Sequence, residues 1–317
     1  MHIKDFLDKS RIPFEEKVLL SKRTWIQTGG ICTYWISPIS VTQLTEVCRF
    51  LYVNNIPFDL IGQTSNIFFH SSYNPEVVVS TIRVNEYHIE DNVLICDCGV
   101  SVIKLSKVCI AAGYTGFHGL VGLPGTVASA AANNSGCFNC SISSMMIGAD
   151  ILMPDGTVKT FTKDDFGYKK RSSRFKRGEM KGVILSLRLC LNKSKDIAEE
   201  YQRSEIVRDY RKRRQEGYRH NLGSVFAAKK QNTNIRNIIA LVVAELLCLF
   251  HIANLTQARK QMLLWLYGYR NLDRYVSNRN LNIFVWRDEN AEKMFDEYKH
   301  FMSKVYRNLE LEIEEKK

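Results

Sequence analysis

Apolar and polar positions alternate along this chain with two different periods. "TWIQTGGICTYWISPIS" (24–40) leads through the turn pair Gly29-Gly30 into β-branched and aromatic residues, which predicts a strand. "SVTQLTEVCRFLYVNN" (40–55) changes to helical spacing, with Ser40 or Thr42 able to cap it. "PFDLIGQTSNIFF" (57–69) and "EVVVSTI" (76–82) return to strand patterning, the first running into a polar turn. Residues 1–22 read as an amphipathic lead-in. Strand, helix and strand in this order predict a small α/β unit.

The next section has a different rhythm. "NEYHIEDNVLICDCGV" (85–100) alternates as a hairpin does, and "SVIKLSKVCIAAGY" (101–114) reads as a helix ending near Gly113. "SMMIGADILMPDGTVKTFT" (144–162) holds two strand runs joined by Pro154-Asp155-Gly156, and "GVILSLRLCL" (182–191) adds another. An α+β layer on an antiparallel sheet is expected. Charged residues dominate 193–220, so a boundary near 200 is expected. Beyond it come a strand-like "GSVFAA" (223–228), helical stretches at 236–250 and 256–268, a strand at 281–286 and a helix at about 289–307.

Composition narrows the class. The chain has 317 residues, 45% of them hydrophobic, enough for two or three domains with their own cores. The formal net charge of +11 is concentrated at "YKKRSSRFKRG" (168–178) and "RDYRKRRQEGYRH" (208–220). Basic clusters suit nucleic acid, an anionic membrane, a phosphorylated ligand or simply a solvated face, and charge alone does not choose. "MHIKDFLDKSRIPFEEK" has no apolar leader core, and the apolar run "IIALVVAELLCLF" (238–250) is short for a membrane span and interrupted by Glu245. A buried helix is the expectation there, with no stable membrane insertion. Nine cysteines without framework spacing predict free thiols and a cytoplasmic location. "CFNC" (137–140) and "CDC" (96–98) could be ligands or a redox pair, but neither has a second Cys/His pair at metal spacing and the first sits in a Gly/Asn loop, so neither zinc nor dithiol chemistry is expected.

Two segments carry candidate chemistry. In "GQTSNIFF" (62–69), Gly62 followed by Ser65-Asn66 at a strand end offers backbone N–H groups and short donors, as a phosphate-cradling turn or an ordinary polar one does. In "GLPGTVASAAANNSG" (122–136), Gly122 and Gly125 flank Pro124, so the turn is stiff while its amides stay accessible. Thr126 and Ser129 add hydroxyls, and the small residues from Ala128 to Ala132 keep the following helix thin. Close packing of helix on sheet explains the same residues without a ligand.

Taken in order, Thr24 with Gly29-Gly30, Gly62-x-x-Ser65-Asn66, "GLPGTVASAAANNSG" and "FGYKKRSSRF" resemble the UDP-N-acetylenolpyruvoylglucosamine reductase family. The resemblance covers most of residues 20–228, with a thinner match at 277–313. It implies an α+β fold: a two-subdomain FAD-binding module, a small α/β unit (1–83) plus an antiparallel-sheet α+β unit (84–200), followed by a C-terminal α+β substrate domain (201–317). It implies noncovalent FAD held by Gly62, Thr64, Ser65 and Asn66 on one side and by Gly122, Pro124, Gly125, Thr126, Asn134 and Gly136 on the other. Ile142 and Val183 would sit near the flavin ring, and His118 would be a loop histidine, not a tether. The implied reaction takes reducing equivalents from NADPH and reduces the enolpyruvyl group of a UDP-sugar to UDP-N-acetylmuramate, a peptidoglycan precursor. "NLGSVFA" puts the family's acid at Ser224, supported by Arg171 of "RSSRF" and Glu312 of "LELEIE". A nucleotide-sugar partner, no nucleic acid and a monomer are expected.

The chain also departs from the family. Its first turn is poorer in glycine, Ala128 and Ser129 stand where glycines are common, and the Tyr-to-Arg spacing in "FGYKKRSSRF" is longer than usual. Ala227-Ala228-Lys229 replaces Lys-Asn-Pro, and "LLCLFHIANLTQARKQMLLWLYGYRNL" replaces a glycine-rich substrate motif. Asn282 matches a later Asn-Phe segment without the His expected before it. These departures leave room for a related oxidoreductase acting on another nucleotide sugar in surface-polysaccharide synthesis, or for a flavin-binding module without catalysis.

Overall fold

A computed structural model describes residues 2–216, 221–227 and 230–317. Residues 217–220 of the basic stretch, and Ala228 and Lys229 of the Lys-Asn-Pro departure, lie outside the described residues. In chain order the elements begin with α1 (Ile3–Lys9), β1 (Phe14–Leu19), β2 (Ile31–Ile36), α2 (Val41–Val53), β3 (Asp59–Ile61), β4 (Ile67–Phe69) and β5 (Val77–Ser80). There follow β6 (Tyr87–Glu90), β7 (Val93–Asp97), α3 (Val102–Ala111), α4 (Val127–Asn133), β8 (Gly136–Cys137), β9 (Cys140–Ser141), α5 (Ile142–Met145), β10 (Met146–Leu152), β11 (Val158–Thr162) and β12 (Val183–Cys190). The remainder is α6 (Ile197–Arg214), β13 (Asn221–Ser224), β14 (Lys230–Gln231), α7 (Ile235–Leu249), α8 (Leu255–Tyr267), β15 (Ile283–Val285), α9 (Ala291–Val305), β16 (Tyr306–Arg307) and β17 (Glu314–Lys316).

Contacts divide the chain into two interleaved units. The first comprises residues 1–19, 31–64 and 74–209, the second 20–30, 65–73 and 210–317. The main boundary therefore falls inside α6. The first unit holds two sheets. One has the order β1-β2-β5-β3, with β2, β5 and β3 parallel and β1 antiparallel, as the strand–helix–strand reading expects. Ser40 caps α2 by accepting from Gln43 N, which decides between the two candidate caps. The other sheet, β11-β10-β12-β7-β6, is antiparallel throughout. Its β6–β7 hairpin turns at Asp91 and Asn92, both left-handed with φ 47° and 61°, residue types that tolerate that conformation.

The strand β12 is apolar from Val183 to Leu185 and alternates beyond, where Ser186 and Arg188 are only partly buried. Ile184, Leu187 and Leu189 join a core with Leu105, Val127, Ala130 and Ala131, while Val183 and Leu185 join another with Leu44, Val47 and Val79. Only its first part is buried on both faces, and only there does it lack polar alternation.

The second unit is aromatic. Phe284 and Trp286 meet edge to face at 4.7 Å, and Phe68 lies 4.9 Å from Trp286. α9 adds Phe295, Tyr298 and Phe301 from one face. The helix α7 differs from expectation. Asn237, Ala240 and Ala244 are its buried residues, and Ile235, Ile238, Val242, Leu246 and Leu249 are exposed. Asn237 donates to Asn232 O and Val305 O on that buried face. Among the described residues no helix is long and apolar enough to cross a membrane.

Candidate functional site

In the first unit the two glycine-bearing turns meet. A Cβ built on Gly62, at the end of β3, would stand 2.8 Å from Thr126 Oγ1 and 2.9 Å from its Cγ2. Thr126 cannot easily withdraw, because it caps α4: Ser129 N donates to its hydroxyl, and Thr126 N donates to Ser129 Oγ. Ser129 thus serves the helix start, which accounts for a hydroxyl where the family has glycine. Gly125 N donates to Gln63 Oε1 at 2.9 Å, tying the turns side chain to backbone. Gly122 and Gly125 have φ of 76° and 122°, left-handed values that suit glycine on either side of Pro124. Thr64 is also left-handed, at φ 54°, and buried. Gly62 is therefore packed against Thr126 and Gln63 is bonded to Gly125, which brings together the turns that also carry Thr64, Gly122 and Pro124.

The segment after α4 is pinned in a second way. Asn134, left-handed at φ 48°, ends the helix; its Nδ2 donates to Lys169 O at 2.6 Å, and its Oδ1 accepts from Ser143 Oγ. Ser173 Oγ donates to Ala132 O, so the basic stretch 168–178 is fastened to the C-terminal end of α4. A Cβ on Gly136 would collide with Cys140 O. Arg171 is exposed and left-handed at φ 57°, within a tight turn closed by mutual backbone hydrogen bonds of Lys169 and Ser172. The Ile142 and Val183 side chains are buried in the two cores of this unit.

Ser65, Asn66, Ser224 and Glu312 belong to the second unit. There Asn66 Nδ2 donates to Glu312 O at 3.1 Å, and Glu314 N donates to Asn66 O at 2.9 Å. Glu312 N in turn donates to Val225 O at 2.8 Å, the residue after Ser224. Asn66 and Glu312, far apart in sequence, are therefore joined, and Glu312 is bonded to the residue that follows Ser224. β17 continues from there by pairing in parallel with β4, so the acidic tail is a strand and not frayed. Ser224 is exposed, opposite Ile283 in the β13–β15 pair. Asn282 clamps this strand: it accepts from Phe226 N through Oδ1, donates to Phe226 O through Nδ2, and takes Val225 N on its carbonyl. At 2% exposure its role is architectural.

Sequence reasoning missed a group in the first unit. His118 Nδ1 lies 2.8 Å from Glu200 Oε1, and its Nε2 lies 3.4 Å from Cys140 Sγ. No local spacing relates these residues, and only the fold makes them neighbours.

Residues 33–162 match the family described as FAD binding domain. The chain is 27% identical over 154 residues to UDP-N-acetylenolpyruvoylglucosamine reductase 2 of Bacillus cereus, 48% of this chain and 50% of that protein. It is 26% identical over 207 residues to the UDP-N-acetylenolpyruvoylglucosamine reductase of Enterococcus faecalis, 65% of this chain and 68% of that one. The chain thus spans about half the length of the first curated relatives it matches. Its fold is similar to that of UDP-N-acetylenolpyruvylglucosamine reductase from Thermus caldophilus, with a TM-score of 0.68 at 19% identity over 96% of this chain and 99% of that one. In sequence and in fold the chain is similar to UDP-N-acetylenolpyruvoylglucosamine reductases, and its residues 33–162 match an FAD binding domain.

Proposed function

We propose that the protein is an FAD-dependent reductase that uses NADPH to reduce the enolpyruvyl group of UDP-N-acetylenolpyruvoylglucosamine. Gly62, Thr64, Gly122, Pro124, Gly125 and Thr126 would hold the FAD pyrophosphate through backbone amides, with Ser65 and Asn66 continuing the first turn. Asn134 and Gly136 would turn the chain past the ring, with Ile142 and Val183 near it. When bound, FAD supplies the hydride that the double bond receives. The three-part organisation, 1–83 and 84–200 for cofactor and 201–317 for substrate, is part of the same proposal, as are a monomer and a cytoplasmic setting.

The chain's own task is then to protonate the other carbon. Ser224 is the proposed donor. An unaided serine hydroxyl is a poor acid, so its neighbours must stabilise the charge that develops. Arg171 is apt for the substrate carboxylate, which its guanidinium can pair with through two N–H groups. Glu312 is the proposed partner of Ser224. The observation that carries this reading is the ladder that links Asn66, Glu312 and Val225. It holds the Glu312 backbone opposite Val225, the residue that follows the proposed acid.

The test mixes FAD-loaded protein with NADPH and the enolpyruvyl substrate. NADPH oxidation dependent on the substrate is expected. Ser224→Ala should leave flavin reduction by NADPH intact and slow reoxidation by substrate, by about a hundredfold or more. Loaded protein that reduces no substrate would exclude this one and favour the second reading, another nucleotide sugar. That reading draws on α7 and α8, which stand where the glycine-rich substrate motif is expected.

A further inference from the structure

The cluster around Cys140 is used by neither the FAD cradle nor the proposed reduction. Glu200, on α6, is 2% exposed and sits at hydrogen-bond distance from His118 Nδ1. A carboxylate only accepts, so Nδ1 carries the ring proton and Nε2 turns its lone pair toward Cys140 Sγ. This fixes the tautomer that makes a histidine a base for a thiol. The sulfur also accepts a hydrogen bond from Gly119 N. That approach depends on Gly119 having no side chain, since a Cβ there would stand 2.9 Å from Cys140 Sγ and collide with Cys137 O.

A second thiol faces the first. Cys137 and Cys140 are directly paired across the β8–β9 hairpin, whose turn residues Phe138 and Asn139 are left-handed at φ 50° and 60°. Residues directly opposite in such a ribbon have Cβ atoms about 4.5–5.5 Å apart on one face, and a disulfide needs about 3.5–4.5 Å. A small closure of the hairpin therefore suffices. Cys137 is half-buried, open enough to react, while Cys140 is 6% exposed. Burial pushes the Cys140 thiol up; the Gly119 amide draws it back, Glu200 and Cys137 add to the rise, and Arg203 opposes it. His118 is the base in contact with it. Among the described residues no group of three or more His, Cys, Asp or Glu is arranged to hold a metal ion.

We propose that Cys140 is a reactive thiol that accepts oxidising equivalents from a hydroperoxide and, with Cys137, closes a reversible disulfide in the hairpin next to Asn134 and Gly136. In the first step His118 Nε2 takes the thiol proton and the sulfur attacks the peroxide oxygen. The S–O bond forms, the O–O bond breaks, and the proton leaves with the departing oxygen as water or an alcohol. In the second step the Cys137 sulfur attacks Cys140, the S–S bond forms, the S–O bond breaks and a second water departs. The two thiols lose two electrons and the peroxide gains them. Glu200 is a positioning residue that acts through His118.

The test uses full-length, FAD-loaded protein and hydrogen peroxide at near-equimolar concentration, followed by peptide mass spectrometry. The exposed Cys190 is an internal comparator that needs no variant. The expected result is a Cys137–Cys140 disulfide with Cys190 still reduced. Cys137→Ser should stop at a sulfenic acid on Cys140, trapped by dimedone. In His118→Gln that retains FAD, alkylation of Cys140 by iodoacetamide should slow by on the order of a hundredfold, with its pH profile moved upward. Glu200→Gln should move the same profile part of the way, which a purely structural role would not do. Oxidation of Cys190 before Cys140 in the wild type would overturn the proposal, as would an unchanged Cys140 rate in a folded His118→Gln protein.

Discussion

Gly62 lacks a side chain for a reason that is visible at Thr126. The strand end and the capped turn approach so closely that an added methyl group meets Thr126 Oγ1 and Cγ2 at once. Gly62→Ala should therefore separate the two turns at an overpacking cost of about 1–3 kcal/mol. If that strain falls on the cradle, FAD affinity drops by roughly tenfold or more, since about 1.4 kcal/mol is a factor of ten. Fluorescence titration of apoprotein with FAD measures it. The conformational meaning of Gly122 and Gly125 was legible in the sequence because turn chemistry is local. The His118–Glu200 contact was not, since 82 residues separate its partners and neither flank carries a motif.

The strands and helices themselves followed from periodicity, and they fail to be legible where periodicity is absent. β17, "EEK", has no apolar alternation, and its strand form comes from pairing with β4. α7 looked buried because only Glu245 interrupts its apolar run, yet Asn237 and two alanines are the residues that lie inside. The five-stranded sheet offers a test of its own. Asp150 on β10 receives both guanidinium arms of Arg188 on β12, at 2.8 and 3.1 Å, and the Thr160 hydroxyl from β11 at 2.6 Å. Arg188 holds the Asp150 carboxyl below the usual carboxylate range. A depressed folded value means stability that is present above the unfolded value and lost as pH falls through the folded one. Asp150→Asn should cost about 1 kcal/mol at neutral pH, discounted for partial solvent screening. Urea unfolding at neutral pH and again at strongly acid pH should show that difference shrinking in acid.

The whole chain is not divisible at its main boundary. The second unit takes residues 20–30 and 65–73 from the N-terminal half, and these supply Ile26 and Phe68 to its core. Phe68 packs on Trp286 and on Phe295, so losing it opens a cavity among the largest side chains of that unit. Residues 210–317 expressed alone should therefore show narrow amide dispersion by NMR and no cooperative melt. Sequence composition suggested a boundary near 200 because charge rises there. It could not show that earlier segments return, because a contact between distant segments leaves no compositional trace.

The ladder from Asn66 to Glu312 has a consequence in time as well as in space. Its partners stand 246 residues apart, so the chain must surrender a large loop entropy before their hydrogen bonds repay any of it. Hairpins such as β6–β7 close on the order of microseconds, long before such a contact can. The neighbourhood of Ser224 and Glu312 is thus the late product of folding. A nascent or refolding molecule is expected to own its local turns well before it owns its proposed acid.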